Sequence, residues 1–249
     1  ANTLKSNQKP FKLNKSQYII NSRTLIYKMD QDLKNNILST GTSLVGIVCK
    51  DGIVMAGDRK ATVGGRIIMQ KNAVKVEAVN DYLVISGTGT SSDIELAKKL
   101  IKEKLKLKEL KDKKRPTIKE SANMIAMMAY KNIRQPSMIP FMAGLMVGGL
   151  NEDGKSELYS VEPAGSVMVV EDFDANFSSG MPYILGLLER QWKKNLTIEE
   201  GVELAIDAIK AASQRDTASG LGVDVFTITK EGIKHVSKQT AAAVYTESE

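Results

Sequence analysis

The sequence predicts an α+β chain in which two stacked antiparallel sheets lie between outer layers of helix. Two groups of short strands, each accompanied by a pair of helices, give that reading, because sheets and amphipathic helices must bury their apolar sides against one another. Capping boxes at Ser92 to Glu95, Thr117 to Glu120 and Thr197 to Glu200 mark helix starts, since this spacing satisfies N–H groups left free there.

Taken in order, apolar runs from Leu44 to Cys49 and from Ile53 to Gly57 flank Lys50-Asp51-Gly52. An Asp-Gly pair between such runs is the strongest short-range hairpin signal. The hairpin folds Thr42 back beside Asp58, which leaves a hydroxyl at a sheet edge next to a carboxylate. Arg66 to Met69, Lys75 to Val79 and Tyr82 to Ser86 read as the next strands. A first helix runs from Ser92 to about Leu110, and a second carries a methionine stripe at Met124, Met127 and Met128 that reads as core filler. Met142 to Gly149, Ser156 to Ser160 and Ser166 to Val170 form the second strand group, broken by turn signals such as Asn151-Glu152-Asp153-Gly154. A third helix follows Pro182, a fourth runs from the Thr197 box to about Gln214, and a hairpin of Val223 to Thr229 with Gly232 to Val236 closes the fold.

Composition excludes several chemistries. With 249 residues, 42% hydrophobic and 26% charged, the chain has the profile of an ordinary soluble globular protein of one large domain or two small ones. A net charge of +6 would suggest a nucleic-acid or acidic-membrane partner, but residues 1–41 hold seven Lys or Arg against two Asp, so +5 of it lies there. The densest cation run, Lys98 to Arg115, has ten cations and three anions without one aromatic residue, and reads as a solvated helix face rather than a nucleic-acid surface. One cysteine, Cys49, excludes a disulfide framework and a cysteine zinc site. One histidine, His235, leaves a single candidate for any histidine-based triad, and it falls in a Lys-rich terminal strand that reads as surface. The longest apolar run, Met138 to Leu150, is broken by Pro140 and glycines and falls short of the roughly 20 residues that span a bilayer. The expectation is a cytoplasmic chain with no membrane or nucleic-acid partner.

The run Gly41-Thr42-Ser43-Leu44-Val45-Gly46 through Gly57-Asp58-Arg59-Lys60-Ala61-Thr62 resembles the start of the mature catalytic β subunit of the 20S proteasome of archaeal type, a threonine protease of the Ntn-hydrolase superfamily. Ser179-Gly180-Met181-Pro182 and Gln214-Arg215-Asp216-Thr217-Ala218-Ser219-Gly220 are similar to two further motifs of that family, in the family's order. The resemblance implies the four-layer αββα Ntn-hydrolase fold over residues 42–249. It implies a leader, residues 1–41, removed between Gly41 and Thr42. It also implies assembly with α subunits and other β subunits in stacked seven-membered rings, fed with unfolded polypeptides by a regulatory ATPase. No metal or organic cofactor is implied.

The chemistry fits a chain without a usable histidine. A threonine hydroxyl needs a base beside it, and a freed Thr42 α-amine, with a reference pKa of about 7.7–8.0, would be that base. The family pattern implies Asp58, Lys75, Ser179, Asp216 and Ser219 around Thr42, with Lys71 as the alternative lysine. It implies Gly87 as the oxyanion donor and Ala61 and Ile85 along the main specificity pocket, whose small or apolar lining suggests cleavage after apolar side chains. Departures are Ser43 where threonine is usual, Met181 in a shortened loop, and no Gly-Asp pair after Gly87. Competing readings are a structural β subunit that keeps its leader and a bacterial two-ring threonine protease, against which the Gln214 to Gly220 motif speaks. A nucleotide-binding loop at Gly87 to Asp93 fails because Ser92 stands at the third glycine position and no parallel strand with a terminal acid follows.

Overall fold

The Asp51-Gly52 turn joins β1 (Leu44–Cys49) to β2 (Gly52–Asp58) in antiparallel register, with Leu44 opposite Gly57 and Cys49 opposite Gly52. The structure is a computed structural model that describes residues 41–137 and 140–240. The leader expected over residues 1–41 lies outside the described residues except for Gly41.

β2 also pairs with β11 (Gly222–Thr229), which pairs in turn with β12 (Gly232–Thr240), while β10 (Phe173–Asp174) flanks β1. The first sheet therefore runs β10-β1-β2-β11-β12. The second contains β5 (Val76–Asn80), β6 (Leu83–Gly89), β7 (Ala143–Leu150), β8 (Ser156–Val161) and β9 (Val167–Val170), each strand antiparallel to the next. β3 (Ala61–Val63) and β4 (Ile67–Gln70) form a separate two-stranded hairpin. The helices are α1 (Ser91–Asp112), α2 (Ile118–Ile133), α3 (Met181–Gln191) and α4 (Ile198–Ser213).

Side chains that alternate along β1 and β2 bury both faces of the first sheet. Leu44, Ile53 and Met55 meet Val84, Met146 and Leu158 of the second sheet. Their neighbours Val45, Ile47, Val54 and Ala56 turn the other way, onto Ile184, Leu188, Ala205 and Ile209 of α3 and α4. The second sheet sends Leu83, Ile85, Leu145 and Val147 onto Ile101, Leu105, Ile125 and Ala129 of α1 and α2. Three apolar layers between four layers of structure make the expected αββα sandwich. Among the described residues no helix is long and apolar enough to cross a membrane.

The capping boxes at Thr117 and Thr197 form as expected. At the second, Thr197 Oγ1 accepts the Glu200 N–H at 3.2 Å and Glu200 Oε2 accepts the Thr197 N–H at 2.8 Å. Asp51 Oδ1 also accepts the Ile198 N–H at 3.1 Å, so one carboxylate ties the β1–β2 turn to the start of α4. Thr197→Ala is expected to lower stability by about 1 kcal/mol, read as a denaturant midpoint shift at unchanged slope.

The box predicted at Ser92 does not form. α1 begins one residue earlier, with Thr90 at the N-cap and no side-chain cap bond, and Glu95 instead accepts Lys99 Nζ at 2.6 Å. The start is fixed from outside, because Thr90 N–H donates to the Met142 carbonyl at 2.9 Å and Asp93 Oδ2 accepts the Met142 N–H at 2.9 Å. The methionine stripe also needs correction: Met124 and Met128, one turn apart, pack into the core, whereas Met127 lies on the flank at 60% exposure.

Candidate active site

The β1–β2 register places Thr42 where the sequence predicts it, at the open end of the hairpin beside Asp58. The Asp58 N–H donates to the Ser43 carbonyl at 3.0 Å, which continues the ladder past Leu44. Asp58 is the last residue of β2, a strand paired on both sides, and its carboxylate is fully buried. It accepts four donors: Ser43 N–H at 2.8 Å and Lys75 Nζ at 2.7 Å on Oδ1, Lys60 N–H at 3.0 Å and Gly220 N–H at 2.9 Å on Oδ2. Gly220 reaches it with φ +132°, a conformation side chains rarely adopt, which is why a glycine ends the Gln214 to Gly220 motif.

Lys75 enters from just before β5 of the opposite sheet. Its Nζ touches Asp58 and donates to the Gly41 carbonyl at 3.0 Å. Burial lowers the amine below the ordinary lysine value, against the opposing pull of Asp58. Lys71, the alternative in the sequence, is exposed and reaches no carboxylate among the described residues.

The third group approaches Thr42 from its backbone side. Thr42 N–H donates to Ser179 Oγ at 3.0 Å. Asp216 Oδ2 accepts the Ser179 hydroxyl at 2.6 Å and the Ser219 hydroxyl at 2.5 Å, while Oδ1 accepts the Ala218 N–H at 3.0 Å. Ser43 Oγ donates to Ser219 Oγ at 2.8 Å, so a hydroxyl chain leads from Ser43 to the Asp216 carboxylate. No role for Ser43, Lys60 or Thr62 follows from the sequence. Ser43 joins that chain, Lys60 Nζ holds the Thr217 carbonyl at 2.9 Å, and Thr62 Oγ1 accepts the Gly41 N–H at 3.4 Å. The strand spacing that brings Thr42 to Asp58 could have flagged Ser43; the other two depend on tertiary approach, Lys60 just after β2 and Thr62 on β3.

The structure thus gathers Thr42, Asp58, Lys75, Ser179, Asp216 and Ser219 into one connected group, and two of them meet the Gly41 carbonyl. Thr42 Oγ1 donates to the carbonyl of Gly41 at 2.7 Å, and that carbonyl also faces the Lys75 ammonium. Gly87 and Ala61 line the cavity of about 480 Å³ that opens beside Thr42. The Gly87 N–H donates to the Lys75 carbonyl at 3.3 Å, so an oxyanion role would require exchanging that bond. Ile85 is not brought there. It is fully buried in the layer between the second sheet and its helices, because the side chain of a β6 residue at that register points to α1 and α2.

Gly41 is sterically required. A Cβ on it would lie 1.7 Å from the Cβ of Ala218, inside the motif that carries Asp216 and Ser219. Gly41→Ala is expected to push the Gly41 carbonyl off Lys75 and Thr42 Oγ1 and to slow cleavage of the Gly41–Thr42 bond at least about tenfold, followed by mass spectrometry of the assembling chain.

A hydroxyl, a buried lysine held by an acid, and a carboxylate–serine pair thus meet at the backbone of one threonine on an αββα frame. The comparisons with known proteins agree in family: the Proteasome subunit model matches residues 38–228, and the chain belongs to that family. It is 36% identical over 204 residues to "Proteasome subunit beta 2" of Pyrococcus abyssi, covering 82% of this chain and 94% of that one. It is 37% identical over 199 residues to "Proteasome subunit beta 1" of Thermococcus kodakarensis, covering 80% and 94%. It is also 32% identical over 193 residues to "Proteasome subunit beta" of Nanoarchaeum equitans, covering 78% and 95%.

Proposed function

We propose that the chain is a catalytic β subunit of the 20S proteasome, which frees its own Thr42 and then cleaves peptide bonds of unfolded proteins with that residue. The carrying observation is the Gly41 carbonyl held between Thr42 Oγ1 at 2.7 Å and Lys75 Nζ at 3.0 Å. In the precursor, a small rotation turns an oxygen lone pair of Thr42 toward the Gly41 carbon. The hydroxyl proton leaves to a water as the C–O bond forms, while the Lys75 ammonium stabilises the developing oxyanion. Collapse breaks the Gly41–Thr42 C–N bond, the nitrogen takes a proton, and an ester on Oγ1 results. Water hydrolyses the ester, giving a Gly41 carboxylate and a free Thr42 amine.

With peptide substrates the freed amine takes the hydroxyl proton as Oγ1 attacks and returns it to the departing amine; water then clears the acyl group. Lys75, positive and fixed by Asp58, stabilises the developing alkoxide. Ser179 and Asp216 hold the Thr42 nitrogen, and Ser219 braces Asp216. Gly87 is the backbone donor for the oxyanion once substrate displaces its bond to Lys75. The subunit works in stacked seven-membered rings with α subunits and other β subunits, fed by an ATPase at the α ring.

The test is to assemble the full chain with proteasome α subunits, sequence its N-terminus and assay peptide hydrolysis. The reading expects a start at Thr42 together with turnover. A leader retained on a fully assembled, inactive subunit contradicts it and supports a structural role.

A further inference from the structure

Ser43 is tied to both carboxylates of the site and is fully buried. Its N–H donates to Asp58 Oδ1 at 2.8 Å and its carbonyl accepts the Asp58 N–H at 3.0 Å, so its backbone is fixed without help from the side chain. The hydroxyl goes the other way, to Ser219 Oγ at 2.8 Å, and Ser219 carries the connection to Asp216. A glycine at position 180 leaves room for that hydroxyl, since a Cβ there would lie 1.9 Å from Ser43 Oγ.

A carboxylate has no proton to give, so the hydrogen-bond directions follow from Asp216 outward. Its Oδ2 accepts the protons of Ser179 at 2.6 Å and Ser219 at 2.5 Å. Ser179 has a second acceptor in the Thr42 carbonyl at 3.0 Å, but the carboxylate is nearer and charged. With its own proton on Asp216, Ser219 accepts from Ser43, just as Ser179 accepts from the Thr42 N–H. Two arms therefore leave one carboxylate oxygen and end on adjacent residues, and the Thr42–Ser43 peptide bond closes them into a ring.

Cleavage after Gly41 changes what this ring must hold. In the uncut chain Thr42 is also held through Gly41, whose carbonyl meets Lys75 and Thr42 Oγ1 and whose N–H meets Thr62 Oγ1. Once that bond is broken residue 42 is a chain end, and chain ends fray unless tied down. We propose that Ser43 is a positioning residue of the mature site: its hydroxyl, through Ser219 and Asp216, keeps the freed Thr42 amine aimed during peptide turnover, and release of the leader does not need it. The inference rests on Thr42 as the nucleophile.

The experiment uses the full chain assembled with proteasome α subunits. It compares wild type, Ser43→Ala and Ser43→Thr for the rate of leader release, followed by mass spectrometry, and for peptide kcat and KM. Alanine keeps both backbone bonds to Asp58 and removes a single oxygen, so the variant is expected to assemble as wild type does. Ser43→Ala is expected to release its leader within about threefold of the wild-type rate and to lose at least about tenfold in kcat with KM nearly unmoved. Ser43→Thr, which returns the hydroxyl, is expected to recover most of that kcat. An unchanged kcat in Ser43→Ala, equal losses in release and turnover, failure of that variant to assemble, or a kcat that Ser43→Thr does not restore overturns the inference and leaves Thr42 as nucleophile intact. Absence of any turnover in wild type overturns both.

Discussion

Thr42→Ala is expected to abolish both release of the leader and peptide turnover at this subunit, a loss of at least about 10³-fold in kcat, while assembly and thermal stability stay near wild type. The side chain is buried but small, and its Oγ1 hydrogen bonds to its own neighbour's carbonyl rather than to a distant element. Its removal therefore costs the fold little. The two readouts share one oxygen: the Gly41–Thr42 bond persists because nothing attacks it, and without a free α-amine no base forms. Thr42→Ser keeps the oxygen and is expected to restore both in part. Full processing of Thr42→Ala by isolated chain would place the nucleophile elsewhere.

Asp58→Asn is expected to be the most destabilising single change at the site. The carboxylate is fully buried and accepts Ser43 N–H, Lys60 N–H, Gly220 N–H and the Lys75 ammonium. An amide retains one acceptor oxygen, aims donors at the other two groups, and leaves a buried lysine charge without its counter-ion. Removing one partner of a buried ion pair costs about 3–5 kcal/mol, enough to shift a denaturant midpoint plainly. The lysine answers as well. Burial already lowers its amine and Asp58 is the main influence raising it, so the variant drives Lys75 further toward the neutral form. The charge facing the Gly41 carbonyl is then lost, and cleavage slows along with the loss of stability. Unchanged stability in Asp58→Asn would show that Lys75 is not held as described.

Much of this arrangement is legible in the sequence because it follows from local pattern. Asp51-Gly52 between two apolar runs sets the β1–β2 register, and that register alone carries Thr42 to Asp58. The Thr117 and Thr197 boxes fix two helix starts. β3 and β10 escape detection because three and two residues cannot show a period, and the Ser92 box misleads because contacts from Met142 outrank a local cap. Lys75 is separated from Lys71 only by tertiary structure, since the choice depends on which amine reaches across from the second sheet. The ion pair of Glu77 with Lys98 is invisible, its partners being 21 residues apart on a strand and a helix. Ile85 illustrates the converse: a residue assigned to the pocket by resemblance faces the helix layer here.

The account is tested most directly by quenching the assembled wild-type particle in acid during peptide turnover and digesting it with trypsin. It predicts a peptide running from Thr42 to Lys50, with a free N-terminus in resting enzyme and the substrate's acyl mass attached at Thr42 during turnover. A peptide that still reads from Asn35 through Gly41 into Thr42, or acyl mass on any other residue, would contradict it.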